Sequence, residues 1–192
     1  MTQPLRIAIA DDEPDMRDYF AKILPRLGHR VVAVAENGVD LLAQCRAARP
    51  DLVITDIKMP DMDGIEAATQ LYRERPVPVI LVSAYHDAAL VERAEADHIL
   101  GYLVKPIKQA DLEPVIGLAV RRFEQFEQLR REAADLRQAL GDRRLIEQAK
   151  GALMAKESLD EPSAFQRLQQ IAGDGGVKLV EAARAVVGAH SG

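Results

Sequence analysis

The stretch that decides the fold is Asp51-Leu-Val-Ile-Thr-Asp-Ile-Lys-Met-Pro-Asp-Met-Asp-Gly64. Leu52-Val53-Ile54 is a short apolar run, and Asp56 follows as a carboxylate at its end. Pro60 and Gly64 then close off regular structure. A buried strand that stops on a charged residue reads as the carboxyl end of a parallel strand, the edge where open α/β sheets place their chemistry. Taken alone, Asp56 also has a plainer reading as a capping aspartate in a solvent loop. The rest of the chain decides between the two.

Toward the N-terminus, Leu5 to Ala10 is nearly all apolar, which suits a strand covered on both faces. It runs into Asp11-Asp12-Glu13, and Pro14 suits a first helical turn with Asp12 or Glu13 near its positive end. Met16, Phe20, Ile23, Leu24 and Leu27 recur at helical spacing until Gly28. Val31 to Ala35 is a second strand, and Gly38 precedes a helix with Val39, Leu42 and Cys45 on one face. Toward the C-terminus, Ala67, Ala68 and Leu71 mark a helix that ends before Pro76. Val77 to Val82 reads as strand four, ending on Ser83-Ala84. Asp87 to Ala96 is a lightly apolar helix, and Ile99 to Val104 is strand five, ending on Lys105-Pro106. Five strands alternating with helices at this pace predict an α/β fold: a flavodoxin-like, doubly wound, five-stranded parallel sheet.

From Gln109 the pattern is helical throughout. Leu112, Ile116, Ala119 and Phe123 suit a fifth helix packed on the sheet. Phe126, Leu129, Ala133, Leu136 and Leu140 then alternate by three and four, with Arg and Glu between them. That stripe is either a short coiled-coil seam for a homodimer or a face for the chain's own C-terminal helices. Gly141-Asp142 reads as a joint, with Asp142 capping a helix through Leu145, Ile146, Ala149, Leu153 and Met154. A helix after Asp160 carries Ala164, Phe165, Leu168 and Ile171, and Gly173 to Gly176 breaks it. A last helix carries Leu179, Ala182, Ala183 and Val186. Small residues at contact positions suggest a closely packed three-helix domain.

Composition narrows the function classes. The chain has 192 residues, is 48% hydrophobic and lacks Trp, so its core must be Val, Ile, Leu and Ala. The net charge of -5 belongs to residues 1–112, and residues 113–192 are balanced. A broad basic footprint for nucleic acid is therefore excluded, leaving only local patches. Cys45 is the single cysteine, which excludes an internal disulfide and argues against thiolate metal sites. No signal segment and no membrane-length apolar run is visible, so the expectation is a cytoplasmic protein without a membrane partner.

The strand ends bring Asp11, Asp12, Asp56, Ser83 and Lys105 to one edge of the sheet. Three carboxylates gathered there repel one another, and a hard divalent cation relieves that repulsion. A cation and an ammonium beside a carboxylate suit capture of a phosphoryl group. Asp56 would be the nucleophile, Ser83 a hydrogen-bond donor to the product, and Lys105 a contact to another oxygen.

Residues 5 to about 122 closely resemble the receiver domain of two-component response regulators. The matching residues are Asp11-Asp12-Glu13-Pro14, Asp56, Met59-Pro60, Asp63-Gly64, Ser83-Ala84, Tyr102 and Lys105-Pro106. The resemblance implies that Asp56 accepts the phosphoryl group from a sensor histidine kinase. It implies Mg²⁺ held by Asp12, Asp56 and the backbone carbonyl of Lys58, with Asp11 acting mostly through a water. Ser83 and Tyr102 would be the switch pair, and the Lys105-Pro106 peptide is usually cis. One departure is His98-Ile99 where the family commonly has Gly-Ala. His29, His86 and His190 form no ligand spacing and read as surface residues.

Residues from about 142 to 187 resemble the ANTAR domain, an RNA-binding output module of transcription antitermination regulators. The match runs over Leu145-Ile-Glu-Gln-Ala-Lys-Gly-Ala-Leu-Met154, then Ala164-Phe165, Leu168, Ala172 and Ala182-Ala183. Much of it also reads as core. Arg143, Arg144, Lys150, Lys156, Arg167 and Lys178 are the candidates for phosphate contacts. Gln169 stands where the family often has Arg, and no exposed aromatic platform is identified. The division expected is a receiver over 1–122, a coiled-coil linker helix over 123–141 and the ANTAR-like domain over 142–192. The function implied is a phosphorylation-controlled antiterminator that binds RNA hairpins in nascent transcripts. The alternative is a phosphorylation-controlled protein-interaction switch whose helical tail dimerises or binds a protein. DNA binding lacks a recognition helix. Independent metabolic catalysis is not expected.

Overall fold

The computed structural model describes residues 3–83 and 99–190, the side chain of His190 excepted. The expected helix at Asp87–Ala96, together with Ala84, His86 and His98, lies outside the described residues. The elements in order are β1 (Arg6–Ala10), α1 (Pro14–Arg26), β2 (Arg30–Ala35), α2 (Gly38–Ala48), β3 (Leu52–Asp56), α3 (Gly64–Glu74), β4 (Val79–Ser83) and β5 (Ile99–Val104). Three further helices follow: α4 (Gln109–Glu157), α5 (Glu161–Gly175) and α6 (Leu179–His190). The chain divides near Glu127 into two compact units.

In the first unit the five strands are parallel in the order β2-β1-β3-β4-β5. Alternation along each strand sorts side chains to two cores. Ala8, Ala10, Val53, Val79 and Leu81 face α2 and α3, where Leu41, Leu42, Cys45, Ala67, Ala68 and Leu71 meet them. Ile7, Ile9, Leu52, Ile54, Ile80 and Val82 face α1 and the start of α4, where Phe20, Leu24, Leu112 and Ile116 meet them. Strands buried on both faces explain the nearly unbroken apolar runs in the sequence. The strand order reverses between β1 and β3, which makes their carboxyl ends the switch point of the sheet.

Several local expectations need correction. Val39 is exposed, and α2 buries Leu41, Leu42 and Cys45 instead. Val77 is buried but precedes β4, held between Pro76 and Pro78. His29 is buried, with Nδ1 accepting from the Leu5 N–H at 3.3 Å and Nε2 enclosed without a partner. Burial lowers its pKa, against the pull of Glu113.

The second unit packs α5 and α6 on the C-terminal part of α4 through Ala149, Leu153, Ala164, Leu168, Ala172, Ala182 and Ala183. Alanines at these contacts let the helix backbones approach closely. Asp160 caps α5 by accepting from the Ser163 N–H at 3.0 Å, and Gly176 ends it at φ 62°. The expected joint at Gly141-Asp142 is absent, because α4 continues through it to Glu157. A mid-helix glycine costs only about 1 kcal/mol relative to alanine, too little to break a helix with packed turns beyond it. Asp142 caps nothing; its Oδ1 accepts from Gln138 Nε2 at 2.8 Å. The stripe is also uncovered: Leu129, Leu136 and Leu140 are 64%, 66% and 59% exposed, so the chain's own C-terminal helices do not bury it.

Candidate functional site

Each strand end delivers one polar side chain to the switch point. β1 runs into Asp11, whose backbone N–H bonds the Ala35 carbonyl at the end of β2. The Glu13 N–H then bonds Asp11 Oδ1 at 2.9 Å, turning the chain into α1. Arg17, on the first turns of α1, reaches back to the carbonyls of Asp11 and Asp12 at 2.6 and 3.0 Å. β3 ends on Asp56, beside Val82 of β4. The Ile57 N–H continues that pairing to the Val82 carbonyl at 3.1 Å. Ser83 closes β4, and its carbonyl accepts from the Lys105 N–H at 2.9 Å. The Lys105-Pro106 peptide is cis.

The loop after Asp56 folds back underneath it. The Gly64 N–H bonds the Ile57 carbonyl at 2.9 Å, and Asp63 caps α3 by accepting from the Glu66 N–H at 2.7 Å. A Cβ at Gly64 would lie 2.0 Å from the Asp56 carbonyl oxygen. Only glycine permits this approach. Asp61 takes a left-handed conformation, φ 64°, in the same loop.

Lys105 is the electrostatic centre of the cluster. Its Nζ lies 3.2 Å from Asp11 Oδ2, 3.6 Å from Asp56 Oδ1 and 2.8 Å from Glu13 Oε1. Burial disfavours the ammonium, but Glu13, Asp56 and Asp11 outweigh it and raise the Lys105 pKa. Burial pushes Asp56 up to about 6; Lys105 pulls it down, and Asp11 and Asp12 push it up further. Burial raises Asp11 as well, opposed by the Glu13 N–H and by Lys105. One ammonium therefore does not neutralise the buried carboxylates.

Asp11, Asp12 and Asp56 each present an oxygen within 4.8 Å of the others, two of the residues buried and one exposed. Asp11 Oδ2 is enclosed without a hydrogen bond, since Lys105 lies close to it but off the bonding direction. Hard oxygen donors, excess negative charge and a buried oxygen still lacking a hydrogen bond fit Mg²⁺.

The structure thus brings together Asp11, Asp12, Asp56 and Lys105, with Ser83 on the neighbouring strand end. Tyr102 is half-buried on β5 against the α2–α3 core, and Lys58 is exposed in the loop after β3. Glu13 joins them as a partner of Lys105, a role that its place in the acidic run after β1 does not by itself reveal. In the second unit the candidates separate. Lys150 is buried, its Nζ 3.0 Å from Glu147 Oε2 and 2.6 Å from Glu161 Oε1, and those carboxylates raise its pKa. It ties α4 to α5 instead of standing free. Arg167 pairs with Glu157 at 3.4 Å. Arg143, Arg144, Lys156 and Lys178 are exposed. Phe165, expected in the core, is 37% exposed, so an aromatic surface does exist.

Comparison with known proteins gives this geometry its family. Residues 7–116 match the response regulator receiver domain, and residues 134–187 match the ANTAR domain. The transcriptional regulatory protein PdtaR of Mycobacterium tuberculosis is 40% identical over 171 residues, covering 89% of this chain and 83% of that protein. The positive alginate biosynthesis regulatory protein of Pseudomonas aeruginosa is 34% identical over 119 residues, 61% of this chain and 48% of its own. Among solved structures, the signal receiver domain of a modulated diguanylate cyclase from Desulfovibrio desulfuricans superposes with a TM-score of 0.60 at 26% identity, covering 64% of this chain and 98% of that one. A receiver domain protein from Clostridium thermocellum gives 0.58 at 26% identity, covering 63% and 98%. The chain belongs to the response regulators that join a phosphoryl-accepting receiver domain to an RNA-binding ANTAR domain and act in phosphorylation-controlled transcription antitermination.

Proposed function

We propose that Asp56 is the phosphoryl acceptor and that Lys105, Ser83 and Tyr102 transmit its modification. The observation that carries this reading is the buried Asp56 carboxylate between Asp11, Asp12 and Lys105 at the switch point of the sheet. Asp12, Asp56 and the Lys58 backbone carbonyl would hold Mg²⁺, with Asp11 acting through a water. Bound there, the ion offsets charge on the transferring oxygens. Ionised Asp56 attacks the donor phosphorus, the donor–phosphorus bond breaks, and the donor leaves with its electron pair. The donor is a sensor histidine kinase.

Lys105 then gives its ammonium to a phosphoryl oxygen, and its ion pair with Asp11 and hydrogen bond to Glu13 loosen. The Ser83 hydroxyl donates to another oxygen, and Tyr102 follows it inward, biasing an equilibrium that already exists. We take residues 1–122 as the receiver, 123–141 as the linking segment and 142–192 as the output domain. The exposed Leu129, Leu136 and Leu140 favour a homodimer through residues 123–140, which would present two output domains to RNA hairpins in nascent transcripts. The exposed Arg143, Arg144, Lys156 and Lys178 remain phosphate-contact candidates. A cytoplasmic setting suits this role, and no helix among the described residues is long and apolar enough to cross a membrane. Asp56→Ala is expected to abolish Mg²⁺-dependent labelling by acetyl phosphate or a kinase. Undiminished incorporation in that variant sinks the assignment.

A further inference from the structure

In the second unit, α4 and α6 leave an open groove of about 580 Å³. Ala134, Gly141 and Leu145 are the apolar residues of its lining. Arg137 and Arg144 stand along it on α4, two helical turns apart, about 10 Å along the axis. Arg184 enters from α6, which the small residues Ala182 and Ala183 hold close to the bundle core. Asp142 is the one carboxylate of the lining, and it already accepts a hydrogen bond from Gln138.

The three arginines are exposed, and among the described residues none of them makes a hydrogen bond or an ion pair through its side chain. That sets them apart from Lys150 and Arg167, whose charges are committed to Glu147, Glu161 and Glu157. Three guanidiniums facing one groove, opposed by one carboxylate, repel one another until an anion enters. Planar guanidiniums bind phosphate oxygens in pairs and also stack on bases, which an ammonium does not. Hairpin loops offer both features at once, a phosphate strand and unstacked bases. Residues 113–192 carry no net charge, so it is a local cluster of arginines without carboxylate partners that offers such a strand favourable potential.

We propose that Arg137, Arg144 and Arg184 grip the phosphate strand of an RNA hairpin loop, and that the groove between them receives an unstacked base. The proposal rests on the RNA-binding reading above, keeps Arg144 from its candidates and adds Arg137 and Arg184 beside it in this groove. The test uses the full chain treated with Mg²⁺ and acetyl phosphate. A stem–loop RNA selected by the wild-type chain from a pool with randomised loops is labelled and titrated by fluorescence anisotropy between about 50 and 200 mM salt. Arg137→Gln, Arg144→Gln and Arg184→Gln should each weaken binding about fivefold or more, and the triple variant about a hundredfold. The slope of log affinity against log salt should flatten by about 0.7 to 1 for each phosphate that is no longer neutralised. Arg131→Gln, an exposed charge outside the groove, should change affinity less than about twofold.

Undiminished affinity and slope in the triple variant overturn the proposal while leaving RNA binding in place. An equal loss in Arg131→Gln overturns it too, because a diffuse field would then suffice. Unchanged RNA affinity with an altered oligomeric mass assigns the groove to a second copy of the chain, and so overturns it. Failure of the wild-type chain to select any RNA sinks the proposal and the RNA-binding reading together. Should the Gln triple variant lose helical dichroism, the triple Arg→Lys variant decides. It must lose affinity yet keep the wild-type salt slope, and a changed slope overturns the proposal.

Discussion

Replacing Asp56 by Asn should stabilise the first unit at alkaline pH, and the gain should vanish on acidification. The side chain is buried, and its pKa rises from 3.8 to about 6, first through burial and then through Asp11 and Asp12. A raised carboxyl pKa means that the folded state holds the proton more tightly than the unfolded chain. Stability from that proton is fully present below about 3.8 and is lost as pH rises through about 6. At pH 8 the folded chain carries a buried charge at a cost. Two pH units at 1.36 kcal/mol each is about 3 kcal/mol, and screening at the open edge of the sheet reduces this to about 1–2 kcal/mol. Asparagine keeps the shape without the charge. Urea unfolding in EDTA, followed by far-UV circular dichroism, should place Asp56→Asn about 1–2 kcal/mol above wild type at pH 8. The two should converge only below about pH 3.8, and Mg²⁺ should narrow the gap at pH 8 by stabilising the wild type alone. A gap independent of pH, or an Asn variant less stable at pH 8, would refute the electrostatic reasoning.

Gly64→Ala puts a methyl 2.0 Å from the Asp56 carbonyl oxygen and 2.9 Å from Thr55 Oγ1. The backbone must move, so stability by urea unfolding should fall by roughly 1–3 kcal/mol, and phosphoryl incorporation should slow with it. His29 acts on pH in the opposite sense to Asp56. Burial lowers its pKa from 6.5, so its contribution is present above about pH 6.5 and lost as pH falls through the folded value. His29→Gln should therefore be less sensitive than wild type to acidification from pH 7.5 to 5.5, as read from urea midpoints. Leu136→Glu should weaken self-association of the full chain. Covering the 66% of Leu136 left exposed is worth about 1 kcal/mol per chain, so the dimer constant by sedimentation equilibrium should rise at least tenfold. Labelling of Asp56 should be unchanged.

The first unit was legible because its information is local. Apolar runs such as Val79 to Val82 end where the sheet ends, and the residue at each end is polar by necessity. Reading Asp11, Asp56, Ser83 and Lys105 off those ends required only the parallel topology. Gly64 was visible as a loop residue, but its contact with the Asp56 carbonyl was not, since that approach exists only after the loop folds back. His29 reads as a surface residue in sequence but is buried, its Nδ1 accepting from the Leu5 N–H of a segment 24 positions away.

The second unit shows where local reading stops. Gly141 and Asp142 carry the signals of a joint, yet the helix packed beyond them from Leu145 onward outweighs a local cost of about 1 kcal/mol. Lys150 has the sequence context of a phosphate contact, and the arrival of Glu161 from another helix removes it from that role. Arg137 and Arg184 lie 47 positions apart and say nothing together until α6 packs beside α4. The sequence by itself determined the alternation of strands and helices, the doubly wound sheet and the polar residues at its strand ends, because periodicity and chain punctuation are properties of neighbours along the chain. Only the tertiary structure decided which charges are spent on each other and which face solvent, because ion pairing depends on distances between elements that periodicity does not encode.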